Sequence, residues 1–259
     1  MFSTICSNAI NILVRLPAII SDHAVLQQST DVKLWGWGPS TLKISIVGSW
    51  SSNDTIKTIV TDSCTWKTTI KTPKAGGPYT IQIFCEKDSL IVSDILIGET
   101  WLCSGQSNME MICKKNIIDA GNQLKGLINN KIRFFYIENS YDIYPRSDCK
   151  GKWVVCDSTT VNSFSAVGYF FGSNLQSKLK VPVGLINSSW GGTSIQPWMP
   201  KTAFENETQS KLENHPGTSF VPQGTSVIYN AMIHPLAPFS LSGVLWYQGE
   251  TNSLSMKET

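Results

Sequence analysis

The hydrophobic pattern of the chain changes near Asp94, and this change limits the possible folds more than any other feature. Before it, apolar and polar side chains alternate in four short segments that turn residues separate: 32–37, 42–47, 66–70 and 79–84. Such alternation is typical of antiparallel strands that are buried on one face only. The sequence therefore predicts a small antiparallel β-sandwich domain over residues 15–93.

After Asp94 the strands have a different character, because each is apolar along most of its length. Four such runs occur: residues 95–103, 131–137, 183–187 and 243–247. Between two of them, Val167, Phe171, Leu175 and Leu179 recur every four residues, which predicts an amphipathic helix. Strands buried on both faces that alternate with helices indicate an α/β domain with a parallel sheet. We assign residues 94–259 to this domain and residues 1–14 to an N-terminal segment.

Three polar, glycine-containing clusters each follow one of the apolar runs: residues 104–109 (Ser-Gly-Gln-Ser-Asn-Met), 188–193 (Ser-Ser-Trp-Gly-Gly-Thr) and 248–252 (Gln-Gly-Glu-Thr-Asn). Because catalytic groups of parallel sheets gather at the carboxyl ends of the strands, we expect the three clusters to meet. Ser107 is the candidate nucleophile, since a serine at a sharp strand-to-helix turn exposes its hydroxyl. The alternative is that Ser107 only caps the following helix.

The second and third clusters predict an oxyanion hole. A glycine lets its backbone N–H approach a reacting oxygen closely, because it has no Cβ. We expect Gly192, or else Gly191, to be the backbone donor, and a tight turn without a catalytic role is the alternative. We expect Gln248 to be the side-chain donor, with Asn252 as the alternative; one such donor typically contributes about 2.7–4 kcal/mol. Four further residues are expected to line the site: Gln106, Asn108, Trp190 and Glu250.

The histidines do not supply an evident general base. His234 precedes Pro235 at the end of a predicted helix, and we expect it to hold that helix terminus. His215 lies in a polar loop, and His23 lies at a turn of the β domain. The sequence has no Cys-x-x-Cys and no Cys/His cluster, so we expect no structural zinc site. Catalysis by a serine nucleophile needs neither a metal ion nor an organic cofactor, so we expect none.

The three clusters resemble the motifs of the sialate O-acetylesterases, a family within the SGNH hydrolases. The resemblance also includes residues 21–27 and 230–236, and it covers roughly residues 15–255. It implies a flavodoxin-like, three-layer SGNH domain and an O-acetylated sugar, such as sialic acid, as the substrate. The residues after Ser107 lack the glycine that marks the nucleophile turn of α/β-hydrolases, which favours the SGNH type. The resemblance also implies a lysosomal or secreted protein, although the chain has no clear signal peptide.

The same resemblance implies a histidine base with an orienting aspartate, from an Asp-x-x-His motif downstream of the third cluster. No such motif follows Asn252. We therefore expect an SGNH domain that is incomplete at its C-terminus, and little turnover by this chain alone. Two alternatives stay open. The chain could be a catalytically impaired carbohydrate-binding or regulatory protein, or an esterase for other acetylated polysaccharides.

Composition argues against several other functions. A net charge of +2 without a basic stripe argues against nucleic-acid binding. No apolar stretch reaches about 18 residues, so we expect no membrane-spanning helix. Seven cysteines cannot all pair within one chain, although Cys64 with Cys85 and Cys149 with Cys156 are possible disulfides. The sequence identifies no protein partner.

Overall fold

The computed structural model describes residues 14–86, 88–113, 124, 126–204, 221–222 and 224–255. The strands are β1 Val25–Gln27, β2 Asp31–Trp37, β3 Lys43–Gly48, β4 Ile56–Ile59, β5 Thr65–Lys71, β6 Gly76–Cys85, β7 Asp88–Gly105, β8 Ile128–Ile137, β9 Gly151–Asp157, β10 Val183–Ser189 and β11 Gly243–Tyr247. The α-helices are α1 Ser107–Glu110, α2 Ala166–Leu179 and α3 Glu250–Ser255. Short 3-10 helices span Val161–Ser163, Gln196–Trp198, Lys201–Phe204 and His234–Leu236, and Tyr229–Ile233 is a π-helix. Of the predicted N-terminal segment, residues 1–13 lie outside the described residues.

The 18-residue strand β7 organises the main sheet. Its first half pairs antiparallel with β6, and its second half pairs parallel with β10 and β11. The path of the sheet is β4-β3-β6-β7-β10-β8-β9, with β1 and β11 also paired to β7. The last pair, β8 with β9, is antiparallel. The predicted α/β class is confirmed at the level of a mixed α/β fold with a central mixed sheet.

Strands β2 and β5 form a separate two-stranded antiparallel sheet. Their inward side chains belong to the same hydrophobic core as those of β3 and β6; examples are Leu34, Trp66, Ile46 and Ile83. The boundary predicted between residues 93 and 94 falls inside β7, where Asp94 has a positive φ of 52°. The two predicted domains share this strand, and a separate β-sandwich domain stays a prediction.

Helix α2 packs against the parallel part of the sheet and closes a second hydrophobic core. Ser165 caps its N-terminus by accepting a hydrogen bond from the Gly168 N–H at 3.1 Å. Gly172 lets the helix approach closely, since a Cβ there would lie 2.5 Å from Leu185 Cδ1. The predicted helix and the strands β10 and β11 are therefore all present.

Neither possible disulfide is formed, because all six described cysteines are free thiols. Cys64 is exposed, whereas Cys85, Cys149 and Cys156 are buried. Among the helices that the structure describes, none is long and apolar enough to cross a membrane.

Candidate active site

The carboxyl ends of three strands lie side by side and bring the three polar clusters together. In the sheet register, Gly105 of β7 is paired with Ser189 of β10 and with Tyr247 of β11. Gly105 has a φ of +138°, and a Cβ there would lie 2.6 Å from the carbonyl carbon of Tyr247. Only glycine fits this position without a shift of the backbone. The clusters therefore meet at one edge of the sheet.

Ser107 is the first residue of the short helix α1, and it is exposed. The helix is anchored by Met109, which is buried in the second core. Gln106 precedes it in an extended conformation, with φ of −110°. The strand-to-helix turn thus presents the Ser107 hydroxyl at the surface while its neighbours fix the backbone.

Gln106, the residue before Ser107, is buried, with only 3% of its surface exposed. Its Oε1 accepts hydrogen bonds from the N–H groups of Gly249 at 3.2 Å and Thr251 at 3.4 Å. Its own backbone N–H donates to the carbonyl oxygen of Tyr247 at 3.0 Å. Gln106, predicted to line the site, therefore ties the nucleophile turn to the third cluster.

The glycine loop after β10 has one occupied and one unoccupied backbone donor. The Gly191 N–H donates to Glu110 Oε2 at 2.7 Å. Gly192 is exposed, has a φ of +76°, and its N–H has no hydrogen-bond partner among the described residues. Trp190 is partly buried against the first core, and its N–H donates to the carbonyl oxygen of Gly105 at 3.0 Å. The loop thus lies directly against the turn that carries Ser107.

Glu110 is the site residue that sequence reasoning missed. Its other oxygen, Oε1, accepts a hydrogen bond from Asn139 Nδ2 at 3.1 Å. Burial, and next the negative charge of Glu110, raise the pKa of Tyr136. Glu110 follows Ser107 by three residues on the same short helix, so it lies one turn beyond the candidate nucleophile. That spacing is the sequence signal that could have identified it.

Gln248 and Asn252 bond to each other. Gln248 Nε2 donates to Asn252 Oδ1 at 2.6 Å and to the carbonyl oxygen of Thr193 at 3.3 Å. Asn252 Oδ1 also accepts from the Ile195 N–H at 3.0 Å, and its Nδ2 donates to Gln196 Oε1 at 3.3 Å. The two predicted side-chain donors therefore already join the third cluster to the segment after the glycine loop.

Asn108 and Glu250 form a further link across the site. Asn108 Nδ2 donates a hydrogen bond to Glu250 Oε1. The second carboxylate oxygen, Glu250 Oε2, is buried and has no partner within the described part of the chain. A buried acceptor without a partner is costly, so Glu250 would be stabilised by one more donor at this point.

The two described histidines are bonded to residues outside the three clusters. His23 Nδ1 pairs with Asp94 Oδ2 at 2.6 Å, and Asp94 also binds Arg133. Thirteen residues of extended chain separate Asp94 from Ser107, which is on the order of 40 Å. His234 Nδ1 bonds to the carbonyl oxygen of Arg146 at 2.9 Å, as expected for a residue that holds a helix end. His215 lies outside the described residues, and no set of His, Cys, Asp or Glu in the described part is arranged to hold a metal.

Comparisons with known proteins identify the family. A model described as "SASA: Carbohydrate esterase, sialic acid-specific acetylesterase" matches residues 98–259. Proteins named sialate O-acetylesterase from Homo sapiens and Rattus norvegicus are 32% and 30% identical over 92% of this chain. The chain spans 49% of the human protein and 52% of the rat protein, about half of each.

A solved structure agrees with these matches. The crystal structure of a carbohydrate acetylesterase from Xanthomonas citri aligns with a TM-score of 0.80 and 31% identity. The alignment covers 93% of this chain and 52% of that protein. The sequence and structural similarities point to one assignment: the chain belongs to the sialic acid-specific acetylesterase family of carbohydrate esterases.

Proposed function

We propose that this chain carries the nucleophile of a serine esterase that removes acetyl groups from sugar hydroxyls. The observation that carries the proposal is the exposed Ser107 at the edge where β7, β10 and β11 end together. The names of the human, rat and Xanthomonas relatives support acetyl esters of sugars as the substrate class.

In the proposed reaction, Ser107 Oγ attacks the acetyl carbonyl carbon and the bond to the sugar oxygen breaks. The sugar leaves with a proton, and water then hydrolyses the acetyl-enzyme. The negative oxygen of the intermediate would be bound by the N–H groups of Ser107 and Gly192. We prefer Gly192 to Gly191 because the Gly191 N–H already donates to Glu110. Preorganised donors of this kind usually make the largest single contribution to such catalysis.

We assign Gln248 and Asn252 a positioning role, because their amide groups bond to each other and to the segment that follows the glycine loop. Breaking these bonds to bind the oxyanion would leave other polar groups without partners. Asn108 and Glu250 line the site in this proposal, and Trp190 supports the glycine loop from below.

The proton of Ser107 requires a base, which family resemblance implies to be a histidine with an orienting aspartate. Neither His23 nor His234 takes this role in our proposal, since each is bonded away from Ser107. Since no described histidine takes this role in our proposal, we expect slow turnover by the chain alone. Oxyanion stabilisation leaves some activity when a base is removed from such a site, of the order of 10³-fold over water.

The test follows acetylation and turnover separately. The chain is incubated with p-nitrophenyl acetate, and intact mass spectrometry records covalent acetyl groups. A colorimetric assay records p-nitrophenolate, whose release beyond one equivalent per chain reports hydrolysis of the acetyl-enzyme. We expect slow acetylation that Ser107→Ala removes. Ser93→Ala, which replaces an exposed serine in the first half of β7, is the matched control and should change nothing.

Equal acetylation of the wild-type and Ser107→Ala chains would refute Ser107 as the nucleophile. Turnover within about tenfold of a full-length relative would refute the expected low activity while leaving the nucleophile in place. O-acetylated sialic acid and acetylated xylo-oligosaccharides, compared by the acetate that each releases, then separate the proposed sialic acid substrate from other acetylated sugars.

A further inference from the structure

A large groove lies between the β2–β5 sheet and the segments around Arg146 and His234. Its volume is about 1040 Å³, which is enough for several sugar residues. It is lined by the two strands and the turn before β5, by Arg146 and Ser147, and by His234, Pro235, Ala237 and Pro238. None of the three clusters at the candidate active site contributes to it. The groove is therefore separate from Ser107.

The outward face of the β2–β5 sheet forms one wall of this groove. Alternate residues of β2 point outward, and these are Asp31, Lys33, Trp35 and Trp37. The last three line the groove. In the register, Lys33 is opposite Thr69, Trp35 opposite Lys67, and Trp37 opposite Thr65. A wall of indole rings interleaved with lysines and hydroxyls offers both flat apolar surface and polar contacts.

The indole ring of Trp37 is held in a fixed orientation, in which a sugar ring could stack on it. The Arg15 guanidinium lies 3.8 Å from the centre of its ring and covers one face. Arg15 is itself fixed by an ion pair with Asp148 at 3.2 Å. The indole is thus oriented before any ligand binds, which lowers the entropy lost on binding.

The charged side chains that line the groove are basic. Lys33, Lys67 and Arg146 line it, whereas no Asp or Glu is among the lining residues that the structure describes. Neither Lys33 nor Lys67 takes part in an ion pair within the described residues. Arg146 is oriented by Asp142 Oδ2 at 2.8 Å and by the carbonyl oxygen of Tyr141. A negatively charged ligand could therefore form ion pairs with Lys33 and Lys67.

We propose that this groove binds a carboxylate-bearing oligosaccharide, with a sugar ring stacked on Trp37 and the carboxylate paired with Lys33 and Lys67. Four threonines and two serines also line the groove and can bond to sugar hydroxyls. Single-stranded nucleic acid is disfavoured, because such sites follow the backbone with a continuous basic track. Here one of the three cations is already neutralised by Asp142. The inference is independent of the proposed esterase activity.

Binding is measured on the full chain by saturation-transfer NMR and calorimetry, with 3′-sialyllactose and trigalacturonate as carboxylated probes and lactose as the neutral one. We expect at least one carboxylated probe to bind and lactose to bind at least about tenfold more weakly, because lactose cannot form the charge-assisted pairs with Lys33 and Lys67. Binding should weaken as salt is added. The affinities for trigalacturonate and for sialyllactose, when compared, distinguish a uronic acid ligand from a sialic acid ligand.

The variant Lys33→Gln/Lys67→Gln should lower affinity about tenfold or more. Lys43→Gln/Lys57→Gln, which removes two exposed lysines of β3 and β4 outside the groove, is the charge-matched control and should bind normally. Trp37→Phe keeps a ring and should weaken binding partly. Trp37→Ala should abolish it, with circular dichroism checking that the sheet still folds.

Several outcomes would overturn the proposal. These are equal binding of lactose and the acidic sugars, full affinity in the Lys33→Gln/Lys67→Gln variant, tighter binding of a short oligonucleotide, or a concentration-dependent dimer that the Trp37 variants dissociate. Ser107→Ala should leave affinity unchanged; a loss there would place the ligand at the esterase site instead. Failure of esterase activity alone would leave this binding result intact.

Discussion

Gly105→Ala tests whether the nucleophile turn depends on the close approach of β7 to β11. Two costs are expected. The φ of +138° is one that non-glycine residues rarely adopt, and such strain costs about 1–3 kcal/mol. The new Cβ would also lie 2.6 Å from the carbonyl carbon and 3.0 Å from the nitrogen of Tyr247, and closer still to its oxygen. These are backbone atoms of a paired strand, so they cannot move aside as a side-chain end could.

Gly249→Ala is the matched control. Gly249 has a nearly identical φ of +143°, but no heavy atom lies within 4 Å of the position that its Cβ would take. It should therefore show only the strain, about 1–3 kcal/mol. Gly105→Ala should show the strain and a further cost of about 1–3 kcal/mol from overpacking.

Urea unfolding followed by tryptophan fluorescence measures both variants. The free energy of unfolding should fall by about 1–3 kcal/mol for Gly249→Ala and by about 2–6 kcal/mol for Gly105→Ala. Equal losses for the two variants would mean that the contact with Tyr247 is not what requires a glycine. The argument for a rigid turn before Ser107 would then be wrong.

Other predictions concern Glu110 and the cysteines. Glu110→Gln should lower the free energy of unfolding by about 1 kcal/mol and slow acetylation of Ser107. The reason is that a neutral amide is a weaker acceptor than a carboxylate for the Gly191 N–H. Glu138→Gln, which changes an exposed glutamate, should have neither effect. Cys64→Ser should remove one fast-reacting thiol from the native chain in a DTNB assay, since Cys64 is exposed. Burial raises the pKa of Cys103 from 9.0 to about 12, so its contribution to stability is fully present below pH 9.0 and is lost as the pH rises toward about 12. Cys103→Ala should flatten that alkaline loss in urea titrations.

The strand ends and helix α2 could be predicted because each depends on a local pattern. The repeat of Val167, Phe171, Leu175 and Leu179 lies within α2, and the run 243–247 is β11. The continuity of β7 could not be predicted in this way. Its first half is buried on one face and its second half on both faces. The hydrophobic pattern of the single strand therefore predicts two different strands. The positive φ at Asp94 marks the point where the pattern changes.

The sequence predicts which residues make up the candidate site, but it does not predict the hydrogen-bond partners of those residues. The sequence places Gln248 and Asn252 near Ser107 as amide donors. It cannot indicate that these amides already bond to the segment after the glycine loop, where the Ile195 N–H donates to Asn252 and the Thr193 carbonyl oxygen accepts from Gln248. Likewise, Gly191 and Gly192 are equivalent in sequence, and only the position of Glu110 separates the occupied N–H from the unoccupied one.

The framework around Ser107 is held largely by amide groups. Gln106 binds the backbone of Gly249 and Thr251, and Gln248 binds Asn252 and the backbone of Thr193. Amides do not titrate between pH 5 and 9, so these links keep their strength across that range. Two further links are made by carboxylates, Glu110 with the Gly191 N–H and Glu250 with Asn108. A change in Ser107 reactivity that persists in the Glu110→Gln and Glu250→Gln variants would therefore report the protonation of a base that acts on the serine, not a rearrangement of these links. A pH profile of acetylation is thus a direct measurement of whether any base acts on Ser107 in this chain.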